Sequence, residues 1–302
     1  MNNNFGKVLV LMGGWSNERE ISLISGKYVY DSLISSGINA IKLDLKKNNL
    51  DSIKSINPDR VFIILHGKGG EDGEIQSYLD KLGIPYTGSN SLSSSICMNK
   101  RLTKDILKDN GIFTPDFIKI DNNVSDNIEE INFEYPYVIK PSSEGSSIGV
   151  HIVEDKESYK LAINENKIIS KDFIAEKYVA GEEYTVGIIE NKALPIIKLE
   201  PPGKFYDYNA KYNSENMRYI CPSGLEKDLE EEIKTLSVKT FNALKCHGWG
   251  RVDLIVDNNK KPWVIEINTV PGMTEHSLLP MAAKQVNINF DDLVIKILNT
   301  SV

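Results

Sequence analysis

The chain is poor in cysteine, has no long apolar run and carries no excess of positive charge, and each shortage narrows what it can be. Its three cysteines, Cys97, Cys221 and Cys246, follow no metal-ligand spacing. They read as reduced structural thiols of a cytoplasmic protein. The opening residues Met1-Asn2-Asn3-Asn4-Phe5-Gly6-Lys7 lack the apolar stretch of a signal peptide, and no later run approaches a membrane span. A membrane partner is therefore not expected. A net charge of −7 argues against nucleic acid as the main partner. Neither a Gly-x-x-x-x-Gly-Lys-Ser/Thr loop nor a Gly-x-Gly-x-x-Gly fingerprint occurs, and there is no internal repeat. What remains is ordinary for a folded protein, with 41% hydrophobic and 25% charged residues. A chain of 302 residues can bury a large core and divide into two or three subdomains.

Two short strands near the C-terminus are the most informative segments: Arg251-Val252-Asp253-Leu254-Ile255-Val256 and Trp263-Val264-Ile265-Glu266-Ile267-Asn268. Side chains alternate along a strand, so Arg251 shares a face with Asp253, and Glu266 shares one with Asn268. Asp257 to Pro262 is turn chemistry. A tight turn at Asn259-Lys260 predicts Asp253 opposite Glu266 and Arg251 opposite Asn268. The other face then reads Val252, Leu254 and Val256 against Trp263, Ile265 and Ile267, all apolar. Oxygen ligands beside a guanidinium suit a hard divalent cation shared with nucleotide phosphates, whereas a solvated face with a plain ion pair is the simpler reading.

The N-terminal stretch reads as an α/β unit. Strand Lys7–Met12 runs into Gly13-Gly14, a helix follows from about Glu18 to Ser36, and Ala40–Leu45 and Val61–Leu65 are further strands. This order predicts a parallel sheet with its ligand site at the strands' carboxyl ends. A helix around Met98 to Asn110 carries Lys100. Tyr137–Pro141 is a strand that includes Lys140 and enters the Gly/Ser loop Ser142 to Gly149, whose small residues would let backbone N–H groups approach an anion. A flexible hairpin loop explains that segment equally well. Helices near Lys156–Asn164, Lys227–Lys245 and Phe290–Leu298, and a strand near Phe173–Tyr178, complete the pattern. Phe205 to Tyr212 mixes aromatic and charged residues without a period, as functional loops do. His66, which follows a strand, reads as a positioning group rather than a base. Glu18 opens a helix, where simple capping would account for it.

Taken together, these segments resemble the D-alanine–D-alanine ligase family of ATP-grasp enzymes. The resemblance runs over nearly the whole chain. It is carried by Gly13-Gly14 with Glu18-Arg19-Glu20-Ile21-Ser22, by His66-Gly67-Lys68-Gly69-Gly70-Glu71-Asp72-Gly73, and by Lys140-Pro141 with Glu144-Gly145-Ser146-Ser147-Ile148-Gly149. Phe205-Tyr206-Asp207-Tyr208 with Ala210-Lys211-Tyr212, Gly248 to Asp253, and Glu266-Ile267-Asn268-Thr269 with Pro271-Gly272-Met273-Thr274 complete it. Asn209, Trp15 and Val270 depart from the usual pattern, and Trp15 is expected at the rim of the first-substrate site.

The resemblance implies an α/β ATP-grasp fold with a Rossmann-like domain over residues 1–96, a central subdomain over 97–180 and a C-terminal subdomain over 181–302. It implies ATP as co-substrate, D-alanine as substrate, two Mg²⁺ or Mn²⁺ ions, a homodimer, and peptidoglycan precursor synthesis through an acyl phosphate. Asp253, Glu266 and Asn268 would hold the metals, and Lys100, Lys140 and Lys211 would contact phosphate. Glu176, Lys177, Tyr178 and Val179 would surround adenine, with Glu183 on the ribose. Arg251 and the Gly272 N–H would stabilise the oxyanion. Glu18, with His66 nearby, would bind the first D-alanine, and Ser277 and Leu278 the second. Ser146 and Tyr212 would join Glu18 in a closing clasp. A D-alanine–D-lactate ligase, a non-catalytic nucleotide-binding relative and, more distantly, a dinucleotide oxidoreductase are the competing readings. The Lys211-Tyr212 loop favours the dipeptide ligase.

Overall fold

The computed structural model describes residues 5–120, 131–170, 172–201 and 217–301. The loop around Lys211 and Tyr212 lies outside the described residues.

The first layer is a parallel sheet. Strand β1 (Val8–Gly13) is flanked by β2 (Ala40–Leu45) and β3 (Arg60–Ile63), with helix α1 (Arg19–Ser35) leading from β1 to β2. Val8, Leu9, Val10 and Leu11 are fully buried, which explains their unbroken apolar run, since a strand covered on both faces has no solvent side. Helices α2 (Ser52–Ile56) and α3 (Glu74–Leu82) follow. The expected strand and helix order is present here, and the Gly-rich segments lie at the carboxyl ends of β1 and β3.

The helix expected around Met98 to Asn110 is present as α5 (Lys100–Asp109), and a further helix, α4 (Ser91–Met98), precedes it. Asn99 separates them with an extended backbone, φ −93° and ψ 100°, and its side chain accepts the Leu102 N–H as the N-cap of α5. The break makes Lys100 the first residue of a new helix, and its backbone N–H donates to Ser142 O at 2.7 Å. Strands β4 (Phe117–Ile120), β5 (Tyr137–Pro141) and β6 (His151–Val153), helix α6 (Lys156–Ile169) and strand β7 (Phe173–Lys177) form the second layer, an antiparallel sheet in the order β4-β7-β5-β6.

The third layer holds β8 (Gly181–Ile189), β9 (Lys192–Ala193), β10 (Ile197–Glu200), β11 (Arg218–Ile220), helix α7 (Lys227–Ala243), β12 (Trp249–Asp257) and β13 (Pro262–Asn268). Its sheet is antiparallel in the order β11-β10-β8-β12-β13, with β9 pairing β8. Helices α8 (Leu278–Lys284) and α9 (Phe290–Asn299) return to the first layer, where Leu279, Leu293, Val294, Ile297 and Leu298 share a core with Val8, Leu33 and Phe62. That return sets the end of β13 beside the carboxyl ends of β1 and β3.

The register of β12 and β13 combines an unexpected turn with the expected facing pairs. The loop is one residue longer than a two-residue turn at Asn259-Lys260. Asp257 and Lys261 close it through Asp257 N–H to Lys261 O at 3.0 Å, and Lys260 takes a left-handed φ of 62°. On that register alone Asp253 would face Ile265. A bulge between Asp253 and Leu254 inserts Ile265 as an extra residue, so Asp253 pairs with Glu266 and Arg251 with Asn268. The longer loop also changes the apolar face. Val264, fully buried opposite Leu254, takes the core position expected for Ile265. Trp263 lies opposite Ile255, packed 5.8 Å from the Phe113 ring and donating Nε1–H to Asp257 Oδ2 at 2.9 Å.

Because Asn99 ends one helix and caps the next, Asn99→Ala is expected to cost about 1 kcal/mol of stability while Asn99→Asp retains most of it. Equilibrium urea denaturation of the two variants checks this.

Candidate active site

The hairpin of β12 and β13 forms the wall between two cavities. Asp253 is the most heavily bonded group on it. Arg251 donates Nε–H to its Oδ1 at 2.8 Å and Nη2–H to its Oδ2 at 2.7 Å. Asn268 Nδ2–H reaches Oδ2 at 2.8 Å, and the Thr185 hydroxyl, from β8, reaches Oδ1 at 2.5 Å. Arg251 and Asp253 are both buried, so the pair is a two-point ion pair in low dielectric. Glu266 lies across from Asp253, with its Oε2 3.7 Å from Lys100 Nζ. Alternation along two strands, with the bulge that restores its phase, has brought Arg251, Asp253, Glu266 and Asn268 together.

On one side of this wall, a cavity of about 170 Å³ lies between the second and third sheets. It is lined by Lys100, Lys140, Glu144, Glu176, Lys177, Tyr178, Val179, Glu183, Asp253 and Glu266, over an apolar floor that includes Val138, Ile148, Ile152, Ile255 and Ile265. All the described residues expected around a nucleotide line this one space; Lys211 lies outside the described residues. Tyr178 and Val179 belong to the turn between β7 and β8, and Lys177 and Glu183 beside it line the cavity too.

A buried charge cluster sits at its back. Lys140 Nζ donates to Glu176 Oε1 at 3.0 Å, and Lys104 Nζ lies 2.5 Å from Oε2. Lys104 also donates to Thr114 Oγ1 at 2.6 Å. Burial opposes ionisation of Glu176, yet the two ammonium groups hold its carboxyl below the usual range. Burial lowers Lys104 to about 8 against the pull of Glu176. Lys100 is also lowered, by burial first, with Glu266 opposing. The Lys100 ammonium is held by the carbonyl of Glu144 at 2.5 Å. Lys104 was not singled out by sequence. Its signal is its position four residues after Lys100, one helical turn along the same face as the buried Leu107.

On the other side, a cavity of about 240 Å³ is lined by Glu18, Ile21, His66, Glu71, Arg251, Asn268, Val270, Pro271, Gly272, Ser277 and Leu278. The Glu18 side chain makes no capping bond to α1, so capping does not account for it. It accepts the Ser146 hydroxyl instead, which joins the Gly/Ser loop to the first layer. Ser146 and Ser147 take consecutive left-handed φ values of 53° and 58°, a conformation costing on the order of 1–3 kcal/mol per residue and concentrated at ligand clamps. Tyr212, the third member of the expected clasp, lies outside the described residues. Ser277 precedes α8, and its hydroxyl accepts the Thr274 N–H at 2.9 Å. Trp15 is not among the residues of this cavity. It lines a separate recess with Leu50, Ile75 and Tyr78, so the expected rim position is corrected.

Glu71 was also not assigned a role from sequence. Burial first, then the neighbouring Glu18 charge, pushes its carboxyl up to about 8. Its oxygens accept the N–H groups of Gly67 at 2.7 Å and Val270 at 3.2 Å.

Two sheets closing on a cavity rich in lysine and carboxylate, beside a parallel α/β layer, define an ATP-grasp architecture. Residues 42–89 match the family described as D-ala D-ala ligase N-terminus, and residues 106–299 the D-ala D-ala ligase C-terminus. The chain belongs to the D-alanine–D-alanine ligase family. Among its relatives, a D-alanine–D-alanine ligase of Nitrosococcus oceani is 44% identical over 98% of this chain and 94% of its own length. One from Dechloromonas aromatica is 45% identical over 98% and 97%. Among solved structures, the D-alanine–D-alanine ligase of Bacillus anthracis complexed with ATP superimposes with a TM-score of 0.85 at 35% identity, covering 98% of this chain and 97% of the other. The VanG D-Ala:D-Ser ligase of Enterococcus faecalis gives a TM-score of 0.86 at 26% identity, covering 98% and 99%.

Lys104→Met removes one partner of a buried carboxylate. Breaking such a pair costs roughly 3–5 kcal/mol, and the remaining Lys140 places the expected loss at the lower end of that range, read by chemical denaturation. For Glu71 the sign runs the other way from an ordinary paired carboxylate. Its raised value means the folded state holds a proton that the unfolded chain has released, so stability falls as pH rises from the ordinary glutamate range to about 8. Melting curves across that window should fall more steeply for the wild type than for Glu71→Gln.

Proposed function

We propose that the chain joins two D-alanines into D-alanyl-D-alanine at the expense of ATP, in peptidoglycan precursor synthesis. Family membership over nearly the whole chain supports this reading. The observation that carries it is the shared wall: one hairpin presents Asp253 and Glu266 to the lysine-lined cavity, and Arg251 and Asn268 to the Glu18 cavity. A phosphate donor in the first space and an amino acid in the second would meet at that wall.

In this scheme ATP occupies the smaller cavity. Lys177, Tyr178 and Val179 surround adenine with Glu176 at its back, and Glu183 lies toward the ribose. Lys100, Lys140 and Lys211 face the phosphates, where positive charge is needed because two anions are brought together. Glu18 receives the ammonium of the first D-alanine, beside His66, and Ser277 and Leu278 receive the second. A carboxylate oxygen of the first D-alanine attacks the γ-phosphorus, and the bond to the β-phosphate oxygen breaks to release ADP. The amine of the second then attacks the acyl carbon, loses a proton, and phosphate leaves. Arg251 and the Gly272 N–H stabilise the oxyanion formed in between. Ser146 and Tyr212 with Glu18 close the site against water.

Asp253, Glu266 and Asn268 offer hard oxygen donors that fit Mg²⁺ or Mn²⁺. Among the described residues no group of three His, Cys, Asp or Glu side chains could by itself hold a metal. A cation here would therefore take further oxygens from the nucleotide phosphates, as Mg²⁺ does when bound by one or two carboxylates. When bound it would screen the phosphate charge. Residues 1–96, 97–180 and 181–302 are assigned as the three subdomains, and the enzyme as a cytoplasmic homodimer. Among the described residues no helix is long and apolar enough to cross a membrane.

Glu266→Gln is the cleaner test of the metal assignment, because Asp253→Ala would also strand the buried Arg251 charge. Glu266→Gln should lower phosphate release by on the order of 10²-fold or more while its melting temperature stays near wild type. Wild-type-like turnover would remove Glu266 from the site. Incubation with ATP and D-alanine, alone or with D-lactate, should give the dipeptide as the main product at neutral pH. A dominant depsipeptide would overturn the substrate assignment.

A further inference from the structure

The segment that leaves β13, Val270-Pro271-Gly272-Met273, has passed the end of the sheet, so its backbone must find other partners. Those partners come from the first layer. The Val270 N–H donates to Glu71 Oε1 at 3.2 Å, and the Val270 carbonyl lies 2.9 Å from His66 Nδ1. The Met273 N–H donates to the Ser25 hydroxyl at 3.3 Å, and that hydroxyl lies 3.2 Å from His66 Nε2. Glu71 Oε2 is fixed in turn by the Gly67 N–H at 2.7 Å. Val270, Met273, His66 and Ser25 are all buried. Pro271 has no N–H, and the Thr274 N–H is taken by Ser277 Oγ at 2.9 Å. From Val270 to Thr274, Gly272 is left as the residue whose N–H has no hydrogen bond among the described residues.

We propose that Glu71 is a positioning residue, which with His66 and Ser25 clamps the 270–273 backbone to the first layer so that the Gly272 N–H is held ready for the developing oxyanion. The proposal rests on the ligase reading for the oxyanion, while the clamp itself is a matter of geometry. Glu71 is suited to the task because one carboxyl group serves two segments, one oxygen for the Gly67 turn and one for Val270. A carboxyl retains lone pairs on both oxygens whether or not it carries a proton. Glutamine does not. Its NH₂ would face an N–H donor, so it can hold one segment but not both. The consequence falls on the rate, because an oxyanion donor acts in the transition state and a displacement of about 1 Å can cost on the order of 10²-fold. Nucleotide binding should be untouched, since Glu71 does not line that cavity.

Glu71→Gln and Ser25→Ala are compared with wild type by steady-state kinetics, by nucleotide titration and by hydrogen–deuterium exchange of the peptide spanning 268–275. Both variants should exchange faster in that peptide, lose about tenfold or more in kcat, and bind ATP within about twofold of wild type. Unchanged exchange or unchanged kcat in both would overturn the clamp, as would a loss of ATP affinity equal to the loss of rate. Should Glu71→Gln fail to fold, Ser25→Ala loosens the same segment from its other end and carries the test alone. A wild type without ligase activity would sink the proposed function, while the exchange measurement would still decide the clamp.

Discussion

One extra residue in one strand governs the geometry of the hairpin wall. The loop joining β12 and β13 sets a register that would place Asp253 opposite Ile265, and the bulge at Ile265 restores Glu266 to that position. Because side chains alternate with period two, a single-residue offset exchanges the two faces of everything beyond it. Without the bulge this loop would turn Glu266 and Asn268 toward the core and Ile267 toward the cavities. The bulge has a second effect. It leaves Ile265 outside the ladder pairing but on the cavity side, where it joins Ile255 and Ile148 on the apolar floor of the lysine-lined cavity. One backbone irregularity therefore serves both the charged wall and the apolar surface beside it.

Given that wall, the remaining difficulty is electrostatic, because the site gathers many charges with little water. Each buried charge among the described residues of the wall and its back is matched at short range. Arg251 is joined to Asp253 at two points, and Glu176 stands between Lys104 and Lys140. The matching is uneven in a useful way. Lys104 is spent wholly inside, on Glu176, Thr114 and the carbonyl of Pro115. Lys140 and Lys100 lie at the cavity surface, where an incoming polyanion can compete for them. Burying an ion pair seldom adds much stability by itself. Here its return is a carboxylate held ionised and fixed in orientation next to a ligand space.

Much of this was legible in the sequence because alternation and glycine placement are local rules. The paired faces of the hairpin, the Ala40–Leu45 and Tyr137–Pro141 strands and the Gly-rich ends of the parallel strands all follow from such rules. The misses have physical causes. Helix α4 was missed because its serines are weak helix formers, and only the asparagines Asn90 and Asn99 bracket it. Trp263 read as core by period two, but the longer loop shifted the phase. Lys104 and Glu71 look like ordinary surface charges, since burial by distant segments leaves no mark on neighbouring residues. The resemblance to the ligase family brought the site residues together before any fold was available, and residue chemistry alone would have stopped at a cation-and-phosphate site.

The three layers meet at loops, and loops are held here by side chains rather than by sheet ladders. Ser146 reaches Glu18, Lys100 reaches the carbonyl of Glu144, and Glu71 and His66 take both polar groups of Val270. Each of these contacts joins segments far apart in sequence, so none can form until the layers have docked. The strained Ser146-Ser147 turn lies at one of these joins, where Ser146 meets Glu18. On the proposed substrate assignment, recognition and layer docking draw on the same few side chains, with Glu18 lining the cavity it shares with Arg251 while holding the Gly/Ser loop. On that assignment, a ligand that displaced one such contact would loosen the join between two layers at the point where it binds, because the same side chain cannot serve both partners fully.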